Sequence, residues 1–267
     1  MSTTRTTTVT TRAAGRVEVT TTDQGEGHPF LLLHGGAGPQ SVGRFAEVLT
    51  TTEPARALTP THPGFGGTPR PERLGSVKAL AEVYAILLDE LDLVDVTVVG
   101  NSIGGWIAAE LALLHTSRVN SLVLVDAGGL ALVDHPAADF FSLTLDQVTN
   151  LSYFNPDAFR IDLSKVPDAQ KAVIAGNRAA LQAYGGSTMD DPTLLQRLPA
   201  IATPTLVVWG EADRIIPPEH GDAYARAIPG AQLQLIPDAG HLPQLETPQR
   251  LVQLVWAFAG LRRPEAA

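Results

Sequence analysis

An α/β domain built on a mostly parallel sheet is the fold class this chain predicts, and three observations predict it. Short, continuously apolar runs end at turns or helices: Phe30 to Leu33, Val96 to Val99, Leu122 to Val125 and Leu206 to Trp209. Strands covered on both faces require that composition. Between the runs, apolar residues recur every three and four positions, as in Val77, Leu80, Ala81, Tyr84, Leu87, Leu88 and Leu91 and again in Ile107, Ala108, Leu111 and Leu114, the period of a helix with a buried face. Strand and helix thus alternate, and 267 residues with 44% hydrophobic content are enough for one large domain, or one with an insertion.

Taken in order, the alternation Arg16-Val17-Glu18-Val19-Thr20, preceded by Thr6 to Thr11 and the turn at Ala14-Gly15, predicts an opening antiparallel hairpin. Phe30 to Leu33 is then the third strand, and it runs into His34-Gly35-Gly36-Ala37-Gly38. A weaker strand, Arg56 to Thr59, precedes Thr61-His62-Pro63-Gly64-Phe65-Gly66-Gly67. After the helix beginning near Val77, the strand Val96 to Val99 leads into Gly100-Asn101-Ser102-Ile103-Gly104 and a second helix. The alternation fails between Leu130 and Arg197, where Phe140, Phe141, Tyr153, Phe154, Phe159 and Tyr184 are scattered among pieces broken at Pro136, Pro156 and Pro167. That segment reads as an inserted helical cap over 130–197, leaving 1–129 and 198–267 as the core. The strand Gln232 to Ile236 precedes Pro237-Asp238-Ala239-Gly240-His241, and a helix over Leu251 to Phe258 closes the domain before a polar tail, Arg262 to Ala267, expected to fray.

Charge narrows the function. Nineteen Lys and Arg against 28 Asp and Glu give a net charge of −9, which argues against nucleic acid or an anionic lipid surface as partner. The absence of cysteine removes disulfides, thiolate metal sites and a cysteine nucleophile. Met1 to Thr11 lacks the apolar run of a secretory signal, and no stretch reaches the ~20 apolar residues of a membrane span. A cytoplasmic enzyme or binding protein is expected, acting on a small molecule, with a homodimer left open. The histidines at 28, 34, 62, 115, 135, 220 and 241 show none of the helical spacings of a metal site, so no metal is expected.

The chemistry concentrates at strand ends, where open α/β sheets place their sites. Gly100-Asn101-Ser102-Ile103-Gly104 has the Gly-x-Ser-x-Gly pattern between strand and helix, a sharp turn that lifts a serine above the sheet. Ser102 is the candidate nucleophile. A hydroxyl is weak unless a base takes its proton, and His241 lies in a glycine-containing loop after the last strand, where an imidazole can do so. Asp213, in Trp209-Gly210-Glu211-Ala212-Asp213-Arg214, would hold the imidazole tautomer and stabilise its charged form. Its rivals are Glu211 and, more strongly, Asp126, which ends the strand after the nucleophile helix. The chain order Ser102, Asp213, His241 favours Asp213. Gly36 and Ile103 are the candidate backbone donors of an oxyanion hole. Candidate substrate contacts are His34, Trp106, Arg160, Arg178 and Leu242. His34 reads more readily as a loop brace than as an acid or base, and Trp106 and the two arginines more readily as packing and solvated groups.

From the His-Gly-Gly loop at His34 through the Ser102 elbow to Asp213 and His241, the chain resembles the α/β-hydrolase superfamily. The resemblance implies a mostly parallel eight-stranded sheet flanked by helices, with the cap setting substrate choice and no cofactor. Dehalogenases and epoxide hydrolases of this superfamily carry Asp at the elbow, so Ser102 argues against both. Gly-Asn-Ser-x-Gly-Gly and His62-Pro63-Gly64-Phe65-Gly66 are similar to the carbon–carbon bond hydrolases of ring-fission products, which usually have Trp where this chain has Leu242. The resemblance therefore implies a serine carboxylesterase acting on small or medium esters. The alternatives are hydrolysis of a 2-hydroxy-6-oxo-dienoate, and a non-catalytic protein that binds a small ligand in the same capped pocket.

Overall fold

Eight strands form one sheet in the order β1-β2-β4-β3-β5-β6-β7-β8. They are β1 (Ser2–Thr11), β2 (Gly15–Gly25), β3 (His28–Leu33), β4 (Ala55–Pro60), β5 (Val96–Asn101), β6 (Val119–Val125), β7 (Thr205–Gly210) and β8 (Gln232–Ile236). The computed structural model describes residues 2–260, so the expected tail at Arg262 to Ala267 lies outside the described residues. β1 pairs antiparallel with β2 and β2 antiparallel with β4. Every other neighbouring pair is parallel. The mostly parallel sheet is the one expected from the alternation, and its eight strands are those of the α/β-hydrolase fold that the resemblance implies.

The apolar runs are continuous because each strand feeds two cores. On β3, Leu31 and Leu33 belong to one buried cluster and Phe30 and Leu32 to the other, the period-two alternation of a pleated strand. The first cluster is completed by α2 (Val77–Glu90) and α3 (Ile103–Leu113), the second by α1 (Gln40–Thr52) and α9 (Pro248–Phe258). α3 is buried from Ile103 through Ala112, and apart from Glu110, which pairs with Arg197, it is apolar all round, as a helix enclosed by its neighbours must be. The Ser76 hydroxyl starts α2 by accepting from the Ala79 amide, satisfying one orphan donor of the first turn.

The opening hairpin is longer than its alternation suggested, because the threonine-rich β1 pairs along its whole length, from Ser2 opposite Gln24 to Thr11 opposite Gly15. Three helices outside the β6–β7 segment lie outside the periods read above: α1, with Val42, Phe45, Ala46 and Leu49 buried, the short polar α7 (Glu219–Ala227) and the four-residue α8 (Pro243–Glu246). Between β6 and β7 the chain forms α4 (Leu145–Ser152), α5 (Asp168–Gly185), α6 (Leu194–Arg197) and single 3-10 turns. Pro156 and Pro167 open elements there rather than break them: Pro156 begins a 3-10 turn and Pro167 precedes α5. The first turn of a helix has no use for the N–H that proline lacks.

Candidate active site

The C-terminal ends of β3, β5, β7 and β8 converge on Ser102. Its backbone takes φ 57° and ψ −121°, a conformation disfavoured for any L-residue by about 1–3 kcal/mol and held only where the surroundings impose it. The two motif glycines are imposed by distance. A Cβ on Gly104 would sit 2.2 Å from the Leu33 carbonyl oxygen, and one on Gly100 would sit 2.1 Å from that of Gly104. The helix can therefore approach β3 closely enough to place Ser102 beside the loop at His34, where a Cβ on Gly35 would be 3.1 Å from Ser102 Cβ.

His241 Nδ1 and Asp213 Oδ2 are 2.8 Å apart, with both residues buried. The other Asp213 oxygen accepts from the amides of Ile215 and Ile216, at 2.8 and 3.0 Å. A carboxylate so held has one oxygen left for the imidazole, which fixes the proton on Nδ1 and leaves Nε2 free to accept. Among the described residues no hydrogen bond joins the Ser102 hydroxyl to His241. The structure brings the imidazole and its acid together and puts the serine at the same end of the sheet, with no hydrogen bond yet formed between serine and imidazole. Such contacts commonly tighten only with substrate.

Asp126 reaches the same place without reaching the histidine. Its Oδ1 accepts from the Gly210 amide at 2.9 Å, and its Oδ2 has no partner. Burial, reinforced by the neighbouring Asp213 charge, pushes the Asp126 carboxyl well above the usual carboxylate range, which favours its neutral acid form. Glu211 is exposed. Gly36 and Ile103 both have amides that donate to no group among the described residues.

Several of the expected substrate contacts have other work. His34 is fully buried, with Nδ1 on the Gly35 carbonyl and Nε2 accepting from the His62 amide, which removes it from substrate contact. Arg160 is tied to Asp146, Asp157 and Asn150 on the exposed surface between β6 and β7, so it offers no unpaired cation. Arg178 donates through Nη2 to the carbonyls of Phe140, Phe141 and Leu143 and lies over both phenyl rings. Trp106 is buried against Gly129, and Leu242 is buried at the start of α8 (Pro243–Glu246).

Sequence reasoning missed the residues that hold the loops in place. Asn101 donates to the carbonyls of Val125 and His241, at 3.2 and 2.9 Å, and accepts from Gln244. Glu246 accepts from the Gly240 amide at 2.7 Å and from Phe154 and Asn155. The end of α4 receives the amides of Arg214 and His241 on the Leu151 and Ser152 carbonyls. Asn101 stood inside the motif and carried that much signal, whereas Glu246 had none, since two of its partners, Phe154 and Asn155, lie some ninety residues away in the chain. From above, α5 reaches the site through Asn177 on the Ala37 carbonyl and Tyr184 on the Pro63 carbonyl.

The buried imidazoles bear on stability. Burial holds His34 down at about 4 and His62 well below its ordinary value. In the unfolded chain both bind protons below about pH 6.5, while the folded protein leaves them neutral. Their contribution is thus complete above pH 6.5 and lost as the pH falls towards 4, at roughly 1.4 kcal/mol per pH unit for each. Asp126 acts in the opposite sense but is one group against two. Urea melts are expected to show stability falling between pH 6.5 and 4.5, and a rise over that interval would contradict the neutral assignment.

The sequence model described as the alpha/beta hydrolase family matches residues 30–254. The chain is 32% identical over 258 residues to a 2-hydroxymuconate semialdehyde hydrolase of Pseudomonas putida, covering 88% of each protein. It is 30% identical over 237 residues to Lipase 1 of Psychrobacter immobilis, across 82% of this chain and 73% of the lipase. Among solved structures, a thermophilic esterase from Thermogutta terrifontis superposes with a TM-score of 0.77 at 27% identity, covering 95% of this chain and 97% of the esterase. No helix among the described residues is long and apolar enough to cross a membrane.

Proposed function

This chain belongs to the α/β hydrolase family, and from that premise we propose that it is a serine hydrolase cleaving small or medium carboxylic esters through an acyl-enzyme. The observation that carries this reading is one constellation: a strained Ser102 beside a hydrogen-bonded His241–Asp213 pair and two unpaired amides, Gly36 and Ile103. An ester needs nothing further. Ser102 Oγ attacks the carbonyl carbon as His241 Nε2 takes its proton, and the carbonyl oxygen, now negative, accepts from the two amides. Collapse breaks the bond to the alkoxy oxygen, which leaves as alcohol with the proton from His241. Water, deprotonated by the same imidazole, then releases the acid and restores the serine.

One observation favours a second reading. Arg178 is paired with no carboxylate among the described residues, and a cap cation without a counter-charge suits a substrate that carries its own. The relatives whose names specify dienoate or muconate hydrolysis support the same idea. A ring-fission product has a carboxylate to anchor and a dienol to tautomerise before its carbon–carbon bond breaks.

Both readings meet in a single assay. Neutral esters are expected to be cleaved with kcat/KM at least ~10-fold above that for a 2-hydroxy-6-oxo-dienoate, about 1.4 kcal/mol in transition-state binding. If the dienoate wins, and Arg178→Ala abolishes its advantage while sparing neutral esters, the carbon–carbon reading replaces the ester reading. Tight binding of a small ligand, with no turnover and no fluorophosphonate label on Ser102, would replace both with a binding protein.

A further inference from the structure

Behind the His34 loop lies a polar column that the proposed chemistry does not use. His34, His62 and Tyr84 are all fully buried, come from three separate elements, and stack with imidazole centroids 3.8 Å apart under the edge of Phe65. The Tyr84 hydroxyl meets His62 Nδ1, His62 Nε2 meets the His34 carbonyl at 2.9 Å, the His62 amide donates to His34 Nε2 at 3.1 Å, and His34 Nδ1 meets the Gly35 carbonyl at 2.8 Å.

Every proton in this column has an assigned place, because the backbone groups cannot exchange roles. The His62 N–H can only donate, so His34 Nε2 is bare and its proton sits on Nδ1, pointing at Gly35. The His34 carbonyl can only accept, so His62 carries its proton on Nε2, and its bare Nδ1 takes the Tyr84 hydroxyl proton. A third proton on either ring would turn an acceptor into a second donor. Burial, which holds both histidines neutral, excludes that at working pH.

We propose that Tyr84, His62 and His34 form a positioning relay whose endpoint is the Gly35–Gly36 peptide, and that it aims the Gly36 amide at the oxyanion formed on Ser102. The inference rests on the ester-hydrolase reading above. In a trans peptide the carbonyl and the N–H point in opposite directions. A donor that fixes the Gly35 carbonyl therefore fixes the Gly36 N–H facing away from it, and that N–H is one of the two unpaired amides beside Ser102. The Gly38 amide also donates to the Gly35 carbonyl, at 3.1 Å, so the carbonyl is gripped from two sides. With no side chain at 35 or 36 to hold the plane, the relay supplies the rigidity that preorganised donors need. None of its three side chains touches the substrate.

Two substitutions at one position separate aiming from mere support. In His34→Asn the side-chain amide falls where Nδ1 was and still donates to Gly35, losing the contact to His62. In His34→Gln the carboxamide oxygen reaches the place of Nε2 and keeps the His62 contact, losing the one to Gly35. The relay predicts that Asn, still on Gly35 but cut off from His62, lowers kcat about 3-fold, while Gln, off Gly35 altogether, lowers it about 30-fold with KM unchanged, somewhat less than outright loss of an oxyanion donor. The rate of Ser102 labelling by a fluorophosphonate should fall in step with kcat. Equal losses in the two variants, or a change confined to KM, would overturn the relay. Tyr84→Phe keeps the test open if a histidine variant does not fold: acting through the same His62 link that His34→Asn cuts, it should lower kcat about 3-fold at constant KM, and an unchanged kcat overturns the proposal. If the wild-type protein takes no label on Ser102, the ester reading falls first and the relay with it. Labelled wild type with indistinguishable variants sinks the relay alone.

Discussion

Ser102→Ala is expected to lower ester turnover by roughly 10⁴-fold or more while leaving the fold intact, because a triad that acts as a unit loses most of its power with any one member. The change removes one oxygen from a residue of intermediate exposure. It leaves the close contacts of Gly100 and Gly104 untouched, so the melting temperature should hardly move. Steady-state kinetics on purified protein, with a fluorophosphonate to exclude a contaminating esterase, reads the result. Near wild-type activity in an unlabelled Ser102→Ala preparation would dismiss this serine as nucleophile, and with it the acyl-enzyme.

Nearly as large an effect is expected from Asp213→Asn, and the hydrogen bonds say why. Oδ1 of Asp213 is held by two backbone donors, Ile215 and Ile216, so an asparagine would keep its oxygen there and turn its NH₂ towards His241. Donor would then face donor, and the imidazole would have to move its proton from Nδ1 to Nε2, the atom that must accept from Ser102. A loss of about 10³ to 10⁴-fold in kcat follows, since the wrong tautomer cannot act as base. Asp126→Asn should change kcat by less than about 3-fold, because an amide closely resembles the neutral acid form that burial favours for Asp126. A larger loss from Asp126→Asn than from Asp213→Asn would reverse the assignment of the acid.

How much of this was readable beforehand depended on how local the cause was. β3, β5, β6 and β7 were visible because burial on both faces demands apolar residues without interruption, and α2 because one buried face repeats along it. α1 carries the same kind of repeat in Val42, Phe45, Ala46 and Leu49, yet the prolines and glycines before it masked its start. The helical stretch between β6 and β7 was legible only as a failure of pattern. Apart from α5 its helices are short, and they are held by partners elsewhere in the chain, such as Glu246 on Phe154 and Ala37 on Asn177, that leave no mark within a window of ten residues.

The sequence by itself determined the order of chemical groups along the chain and the strand ends that carry them, because the glycines of the Ser102 elbow and the apolar runs before each loop act over a few neighbouring residues. Only the tertiary structure decided which carboxylate serves His241, since Asp126 and Asp213 both end up buried beside it and just one has an oxygen in reach of Nδ1. It likewise separated Arg160, neutralised by Asp146 and Asp157, from Arg178, which meets only carbonyls and rings. Those outcomes turn on which groups the sheet order and the docking of α4 and α5 bring within 3 Å of one another, and hydrogen bonds and ion pairs between distant parts of a chain are set by that packing rather than by any residue's own preference.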